Sequence, residues 1–346
     1  MVKSSLSIRT KRILFLCVFL LLITAFFFAY KIFGFMSGIQ DATIFPPTAN
    51  PTATKPEAPP VWTGTERVNI LLMGLDKREM RPNELPRSDS MMLVSIDPEK
   101  KTYDLFSIMR DTLVRIPGHG KTRVNEALTF GGPELAMETV SDFVGQPVHY
   151  YVLTDFEGFK SLIDAVGGVE IDVEKNMSYH DPTDKGKYDI NLKKGLQRLD
   201  GEKALQYARF RHDATSDYTR TERQRKLLSA VATELKSTTT IFQIPKILDS
   251  VQPYIQTNLA TLDMIKLGSL GMSLQQSGEG GHQLPPMNMF REANVPGKGA
   301  VLLPSDQDII KYMDEQLNNK NSAEDKEGKR GDSSTSYKYT HLEHAS

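Results

Sequence analysis

Arginine side chains are concentrated between residues 208 and 224, in the segment ARFRHDATSDYTRTERQ. Its chemically interesting residues are Arg209, Arg211, Asp213, Asp217, Arg220, Arg223 and Gln224. Arginine binds phosphate with a planar fork of N–H donors, which lysine cannot offer. The residue types in this segment therefore indicate recognition of an anionic ligand, above all a phosphorylated one.

A predicted helix over residues 217–236 positions part of this set. Its apolar side chains recur at helical spacing and are Leu227, Leu228, Val231 and Leu235. Toward the N-terminus the same face continues through Gln224, Arg223, Arg220 and Asp217. Because an unpaired buried charge is costly, arginines on a buried face need an anion to meet them. The alternative is structural, with Arg223 and Arg225 paired to Glu222 or Glu234.

A second set of charged residues lies at the ends of three predicted strands. The strands cover residues 68–73, 91–96 and 102–109, and their apolar runs are typical of a covered sheet. The flanking charged residues are Asp76, Arg87, Asp89, Arg110 and Asp111. A hairpin of the second and third strands places Asp89 and Arg110 at one end of the sheet. A first strand parallel to the third adds Asp76, so the edge is a predicted ligand site.

These residues suit the binding of a metal ion and a diphosphate. Asp76 and Asp89 together suit Mg²⁺, which takes a few carboxylate oxygens and completes its octahedron with water and phosphate oxygens. The arginines able to surround the diphosphate are Arg87, Arg110, Arg209, Arg211 and Arg220. Taken singly, each residue has a simpler explanation as a turn residue or a surface charge. No His/Cys cluster competes for a metal, and His180 and His212 are interpreted as exposed loop histidines, with proton transfer as the alternative.

The remaining pattern alternates strands with helices. Helices are predicted over residues 133–143, 156–166 and 201–209, strands over residues 149–153 and 169–173, and a polar loop over residues 179–192. Asn125 is a predicted helix N-cap. This alternation predicts an α/β fold: a three-layer α-β-α sandwich with a central mixed sheet, preceded by one transmembrane helix.

The N-terminal segment has the pattern of a membrane anchor. Residues 13–30 carry no charge, and the apolar stretch over residues 13–36 is long enough to span a bilayer. Arg9, Lys11 and Arg12 precede it, so the positive-inside rule predicts a single-pass protein of the cell membrane. Residues 1–12 would be cytoplasmic and the rest extracytoplasmic. A cleaved signal peptide is the alternative, but no clear A-x-A cleavage site follows.

The rest of the chain divides by composition. Residues 37–65 form a Pro/Thr-rich spacer, residues 66–317 a folded domain, and residues 318–346 a polar tail that we expect to be disordered. The single cysteine, Cys17, lies in the apolar stretch, so we expect no disulfide partner. The formal net charge of -1 argues against general nucleic-acid binding.

Six blocks of sequence follow one another along the chain: VNILLMGLD, RSDSMMLVSID, FSIMRDT, DAVGGVEIDV, LDGEKALQYARFR and DYTRTERQRKLL. In order and spacing they resemble the LytR-CpsA-Psr family, over about residues 68–235. The later segment SVQPYIQTNL also resembles that family. Members of that family are bacterial cell-wall enzymes. The resemblance implies a Mg²⁺-dependent phosphotransferase that moves an anionic glycopolymer, wall teichoic acid or similar, from a polyprenyl-diphosphate carrier to a peptidoglycan acceptor. Polyprenyl phosphate is released.

The resemblance also implies roles for individual residues. Asp76 and Asp89 match the acidic positions around the magnesium ion. The residues that match the diphosphate-binding positions are Arg87, Arg110, Arg209, Arg211, Arg220 and Gln224. The general base stays open between Asp111 and Asp217, and Asp111 has the alternative role of orienting Arg110. An apolar tunnel is expected for the polyprenyl chain, with candidates Leu135, Val140, Phe143, Phe156, Phe159 and Leu162, for which core packing is the alternative.

Three other functions remain compatible with these residues. A non-catalytic module would bind lipid diphosphates and regulate envelope functions. A diphosphate hydrolase would use water as its acceptor, and a structural anchor would bind the wall without needing the arginines. Asp76, Asp89, Arg87 and Arg110 together favour the enzyme, because a pure binding module does not need the metal.

Overall fold

The computed structural model describes residues 8–41, 60–76, 86–180, 186, 189–212, 216–237, 240, 243–278 and 280–318. The strands are β1 (Val68–Leu75), β2 (Ser88–Asp97), β3 (Thr102–Ile108), β4 (Leu113–Ile116), β5 (Gly120–Arg123), β6 (Tyr150–Asp155), β7 (Val169–Val173), β8 (Met177–Tyr179), β9 (Ile190–Leu192), β10 (Gly195–Leu199), β11 (Ile255–Thr257), β12 (Gln275–Gln276), β13 (His282–Leu284), β14 (Phe290–Val295) and β15 (Gly299–Pro304). The helices are α1 (Ile8–Asp41), α2 (Glu126–Val144), α3 (Phe156–Ala165), α4 (Gly201–Arg209), α5 (Ser216–Leu235), α6 (Ile244–Val251), α7 (Thr261–Gly271) and α8 (Asp306–Asn318).

A seven-stranded mixed sheet forms the centre of the domain. Its strands follow in the order β11-β6-β1-β2-β3-β12, and β13 also pairs with β3. β1, β2 and β3 form an antiparallel meander, whereas β6 runs parallel to β1. Because β1 and β3 each pair antiparallel with β2, they run in the same direction without being neighbours. The predicted α/β fold with a mixed sheet is confirmed.

Side chains alternate across the sheet, so that both faces are buried. Along β1, Leu71 and Met73 belong to the core that includes α2 and α8. Ile70 and Leu72 point to the opposite side, where they pack with residues of α7. Helices α3, α4 and α5 also lie on that side, because they line a cavity together with Leu72. Helices therefore cover both faces of the sheet, which is why its strands are apolar throughout.

Helix α2 begins earlier than predicted, at Glu126, and contains a kink. Gly132 has φ 75° and ψ −170°, a backbone conformation open to glycine alone, and Pro133 follows it. The predicted helix over residues 133–143 corresponds to the part after the kink. Asn125 occupies the N-cap position, as predicted, although its side chain makes no capping hydrogen bond to any described residue.

Residues 179–192 are not a continuous polar loop, because they contain parts of the two-stranded sheet of β8 and β9. Met177 pairs with Leu192 and Tyr179 pairs with Ile190. Met177, Ile190 and Leu192 are buried in a second core with helices α3 to α6. The predicted loop is therefore wrong at both ends. Its middle, residues 181–185 and 187–188, lies outside the described residues.

Helix α1 covers Ile8–Asp41 and is longer than the predicted span of residues 13–36. No helix in the described part of the chain combines the length and apolarity that crossing a membrane requires. The predicted transmembrane helix is therefore not confirmed. The predicted spacer and tail lie mostly outside the described residues.

Candidate active site at the edge of the central sheet

The ends of β1 and β2 bring the two predicted acidic residues to one edge of the sheet. Leu75, the last residue of β1, pairs with Ser88, the first residue of β2. Asp76 and Asp89 are the next residues along each chain segment, and both line one cavity of about 220 Å³. Asp89 is thus a residue of β2, whereas the sequence pattern placed it before the strand.

Two helix ends supply the arginines of the same cavity. Arg209 is the last residue of α4, and Arg211 follows two residues later. Arg220 and Gln224 lie one turn apart on α5, on the face predicted to be buried. The cavity is lined by Gly74, Asp76, Asp89, Ser90, Phe156, Tyr179, Ile190, Ala208, Arg209, Arg211, His212, Arg220 and Gln224.

Asp217 holds three arginines together at the first turn of α5. Its Oδ1 lies 3.3 Å from Nη1 of Arg220 and 3.6 Å from Nε of Arg211. Its Oδ2 lies 3.8 Å from Nε of Arg110. One carboxylate thus gathers guanidinium groups from three separate segments and offsets part of their mutual repulsion.

Arg220 is buried, with only 3% of its surface exposed, and it faces the cavity. Its Nε and Nη1 have no hydrogen-bond acceptor within the part of the chain that the structure describes. The contact with Asp217 is an ion pair without hydrogen-bond geometry. A buried donor left without an acceptor costs about 1–3 kcal/mol, and more when it is charged. Arg220 is therefore prepared to donate to an anion in the cavity.

Arg110 follows β3 at the same edge, although it lines neither cavity as the described residues define them. Its Nη1 donates to Oδ1 of Asp89 at 2.8 Å, and its Nε lies 3.5 Å from Oδ2 of Asp111. Arg123 approaches the other oxygen of Asp111, with 3.3 Å between Nε and Oδ1. Burial alone would lower the pKa of Arg110, but Asp89, Asp111 and Asp217 raise that pKa above its ordinary value. Arg110 is a fixed cation.

A second cavity, apolar and about 360 Å³ in volume, lies next to the first. Its lining includes Leu72, Met92, Val152, Phe159, Leu162, Leu205, Leu228 and Val231. Six residues line both cavities: Gly74, Ser90, Phe156, Ala208, Arg209 and Gln224. The arginine cavity and the apolar cavity therefore share a wall between β1, α3, α4 and α5.

The predicted tunnel residues divide into two groups. Phe156, Phe159 and Leu162 line the apolar cavity. Leu135, Val140 and Phe143 are instead packed in the core beneath α2, on the other face of the sheet. Core packing, the alternative for all six, is therefore the correct interpretation for the second group.

Arg223 supports the fold and lies outside the cavity lining. It is 1% exposed, and its Nε donates to Oε1 of Glu174 at 2.6 Å. Its Nη1 donates to the carbonyl oxygen of Phe210 at 2.9 Å, and its guanidinium lies 5.2 Å from the centre of the Phe210 ring. The structural interpretation of Arg223 is confirmed, but its partner is Glu174 and not Glu222 or Glu234.

Arg225 also has a structural role, on the side of α5 that faces β3. It donates to Oγ of Ser107 at 2.9 Å and to the carbonyl oxygen of Gly280 at 2.6 Å. Burial lowers its pKa below the ordinary value for arginine. The predicted partners Glu222 and Glu234 bind other residues, Lys226 and Arg198 respectively.

Arg87 stands immediately before β2 and is exposed. It is absent from the cavity lining formed by the described residues, and residues 77–85 before it lie outside that description. Its role in binding a diphosphate stays a prediction.

Several residues of the arginine cavity were not predicted from the sequence, among them Ser90, Tyr179 and Ile190. Ser90 donates to Oε1 of Gln224 at 3.0 Å and so fixes the side-chain amide. Tyr179 and Ile190 reach the cavity from the sheet of β8 and β9. The only signal for Ser90 was its position next to Asp89, whereas Tyr179 and Ile190 lie in the segment interpreted as a polar loop. His212, interpreted as a loop histidine, also lines the cavity.

Asp76 and Asp89 offer a donor set that fits Mg²⁺ bound together with phosphate. Mg²⁺ is usually held by one or two carboxylates, and it takes its other ligands from substrate phosphates and water. Among the described residues, no group of three or more His, Cys, Asp or Glu side chains is placed to form an all-protein cage. The two carboxylates therefore suit an ion that arrives with an anionic substrate.

The fold and the site define a class of protein: an α/β domain with an arginine-lined cavity at the edge of its sheet and an apolar cavity beside it. The chain belongs to the LytR_cpsA_psr family, whose model matches residues 46–317.

Relatives of known sequence and structure agree with this assignment. Regulatory protein MsrR of Staphylococcus aureus is 34% identical over 239 residues, which cover 68% of this chain and 70% of MsrR. The polyisoprenyl-teichoic acid–peptidoglycan teichoic acid transferase TagV of Bacillus subtilis is 33% identical over 270 residues, 77% of this chain and 66% of TagV.

The solved structures of relatives have the same fold. The crystal structure of B. subtilis TagV superimposes with a TM-score of 0.61 at 29% identity, over 73% of this chain and 98% of that one. A structure of TagT with bound octaprenyl pyrophosphate lipid gives a TM-score of 0.53 at 25% identity, over 80% of this chain and 98% of that one.

Proposed function

We propose that this protein transfers an anionic glycopolymer from a polyprenyl-diphosphate carrier to peptidoglycan. The observation that carries the proposal is Arg220, a buried arginine that faces a cavity with donors available for an anion, next to an apolar cavity. The named activity of TagV and the lipid bound to TagT support it. The diphosphate would lie among Arg209, Arg211 and Arg220, and the polyprenyl chain in the apolar cavity.

The reaction is a phosphoryl transfer with a sugar hydroxyl as the nucleophile. The 6-hydroxyl of N-acetylmuramic acid attacks the phosphorus nearest the donor sugar and loses its proton as the new P–O bond forms. The bridging P–O bond breaks, and its electron pair leaves on polyprenyl phosphate, whose new terminal oxygen takes up the proton. Negative charge develops on the equatorial and leaving oxygens, where the arginines stabilise it.

The two candidate general bases are each held in ion pairs, and we assign them a positioning role. Asp217 gathers Arg110, Arg211 and Arg220, while Asp111 lies between Arg110 and Arg123. Oriented donors need no reorganisation when charge develops, which is how fixed dipoles and charges lower a barrier. The two aspartates would thus aim the arginines at the diphosphate.

We further propose that Asp76 and Asp89 hold Mg²⁺ against the diphosphate. The ion would neutralise phosphate charge and orient the transferred group. On removal of divalent ions with EDTA, transfer should fall by about 10²-fold or more, and Mg²⁺ should restore it. Asp76→Asn should make both donor binding and transfer less dependent on the Mg²⁺ concentration. Unchanged transfer in EDTA would contradict this proposal.

The decisive experiment uses the full chain in detergent with a synthetic polyprenyl-diphosphate glycan and peptidoglycan oligomers. Release of polyprenyl phosphate and the mass of the acceptor are measured with and without Mg²⁺. Acceptor that gains the sugar phosphate supports the transferase. Tight donor binding without release would favour the non-catalytic regulator, a function supported by the name of MsrR. Release without acceptor would indicate a hydrolase.

Filling the apolar cavity should weaken binding of the lipid chain selectively. Leu162 on α3 lines this cavity, and Leu162→Trp would displace several methylene groups of the ligand. At about 0.8 kcal/mol per buried CH₂, the affinity for octaprenyl diphosphate should fall by about ten- to hundredfold. The affinity for methyl diphosphate, measured by calorimetry, should not change. Leu196→Trp, at an exposed position on β10, is the matched control. Equal loss for both ligands would contradict the assignment of this cavity to the lipid chain.

Membrane anchoring through the N-terminal segment is part of the same proposal. Arg9, Lys11 and Arg12 precede an uncharged apolar stretch, which supports a cytoplasmic N-terminus and an extracytoplasmic domain. Large exposed apolar side chains on α1 give further support, and they include Leu14, Phe15, Phe19, Phe26 and Phe33. Fractionation of cells is the test, and recovery of the intact full chain in the soluble fraction would contradict anchoring.

A further inference from the structure

The proposed binding of a diphosphate and a lipid chain leaves two aromatic side chains of the arginine cavity without a role. Tyr179 at the end of β8 and His212 after α4 both line this cavity. Their rings are stacked, with 4.3 Å between centroids and 29° between planes. Neither residue lines the apolar cavity. The stacked pair therefore lies on the part of the arginine cavity that is not shared with the lipid site.

The pair is held in place from both sides. Tyr179 pairs across the strands with Ile190, which is buried and also lines the cavity. The next residue of β9, Asn191, donates its backbone N–H to Oε1 of Gln206 on α4 at 3.0 Å. The Phe210 ring lies 6.0 Å from the His212 ring. The stacked pair of Tyr179 and His212 is thus connected to helix α4, which also carries Arg209.

The order of the two cavities determines which part of the donor would contact Tyr179 and His212. A lipid-linked glycan has its apolar chain on one phosphate and its sugar on the other. If the chain enters the apolar cavity and the diphosphate lies among the arginines, the first sugar must leave on the remaining side. That side carries Tyr179 and His212. A pyranose ring has an apolar C–H face, and aromatic rings carry a negative face that attracts polarised hydrogens.

We infer that Tyr179 and His212 form a platform that stacks against the sugar attached to the diphosphate. The inference rests on the proposed function and names the part of the donor that this side of the cavity recognises. Arg209, Arg211 and Arg220 would bind any polyprenyl diphosphate. The platform would add affinity for donors whose first residue is a pyranose and so distinguish a loaded carrier from an unloaded one.

The test compares two ligands on the full chain in detergent: octaprenyl diphosphate and the same lipid carrying one N-acetylglucosamine. Tyr179→Ala should raise the Kd of the glycosylated lipid by about tenfold, the order expected from one aromatic contact and its buried area. The Kd of the sugar-free lipid should change less than about twofold. Tyr179→Phe should retain wild-type affinity for both, and His212→Ala should weaken only the glycosylated lipid.

Ser178→Ala is the matched control, because Ser178 precedes Tyr179 on the same strand and is exposed. It should leave both affinities and the melting temperature unchanged. Equal losses for the two lipids in Tyr179→Ala would overturn the platform and indicate a general effect on the cavity. No loss for either lipid would also overturn it. If the wild-type chain binds neither lipid, the proposed function itself fails, which is a separate result.

Discussion

Arg110→Ala should slow glycopolymer transfer by about 10²–10³-fold, the usual loss when one fixed donor to developing charge is removed. Asp89, Asp111 and Asp217 hold the guanidinium at the edge of the sheet, so its position is set before substrate arrives. The loss should fall mainly on kcat, because an interaction that strengthens in the transition state is what the variant lacks. Steady-state transfer with saturating donor is the measurement.

Arg115→Ala is the matched control for Arg110→Ala. Arg115 is exposed on β4, five residues further along the chain, and should be dispensable. Arg110→Lys should recover only part of the rate, because an ammonium group lacks the planar fork of donors. Full transfer activity in Arg110→Ala would remove this residue from the mechanism.

Arg223→Ala should lower the free energy of unfolding by about 3 kcal/mol, the lower end of the range for breaking a buried ion pair. The lower end applies because the Glu174 side chain is 37% exposed and can be hydrated after the change. For a domain of this size the melting temperature should fall by about 6–12 °C. Thermal unfolding followed by circular dichroism measures it. Lys226→Ala, on the exposed side of α5, removes a surface pair and should cost less than about 1 kcal/mol.

The pH dependence of stability gives an independent check on the same pair. Burial alone would raise the pKa of Glu174, but hydrogen bonds from the backbone, Arg223 and Tyr207 lower that pKa below its ordinary value. A lowered pKa contributes stability above the ordinary carboxyl pKa, and the contribution is lost as the pH falls toward the lowered value. Arg223→Ala should therefore lose less stability on acidification than the wild-type chain. An equal acid dependence of both chains would show that the pair does not set it.

Helix α5 could be predicted from sequence because all its signals are local. The apolar residues Leu227 and Val231 lie on the same helix face as Arg220 and Gln224. Helical periodicity alone therefore shows that charged side chains occupy a face that should be buried. The same pattern could not separate Arg220 from Arg223. Their difference depends on Glu174, which is distant in sequence and reaches Arg223 only through the fold.

The apolar cavity could not be predicted as a cavity for a related reason. Leu162 and Val140 are both apolar residues on helices, yet one lines the cavity and the other is packed in the core. Hydrophobicity sets which face of a helix is buried, but not whether facing helices meet closely. The β8–β9 pair was missed because each strand has three residues, too few for an alternation to be recognised.

The apolar cavity beside the arginine cavity has a consequence for turnover. Under the proposed function, substrate and product both carry the polyprenyl chain, so contacts with Leu72, Phe159 and Leu162 would favour them equally. Binding that is uniform along the reaction does not speed the chemical step, and it retains the spent carrier after the glycan has gone. Product departure would then limit the cycle. The expected kinetics are a burst of acceptor product equal to the enzyme concentration, followed by slower turnover. The slower phase should become faster with donors that carry shorter lipid chains. Linear product formation from the first turnover would contradict rate-limiting product release.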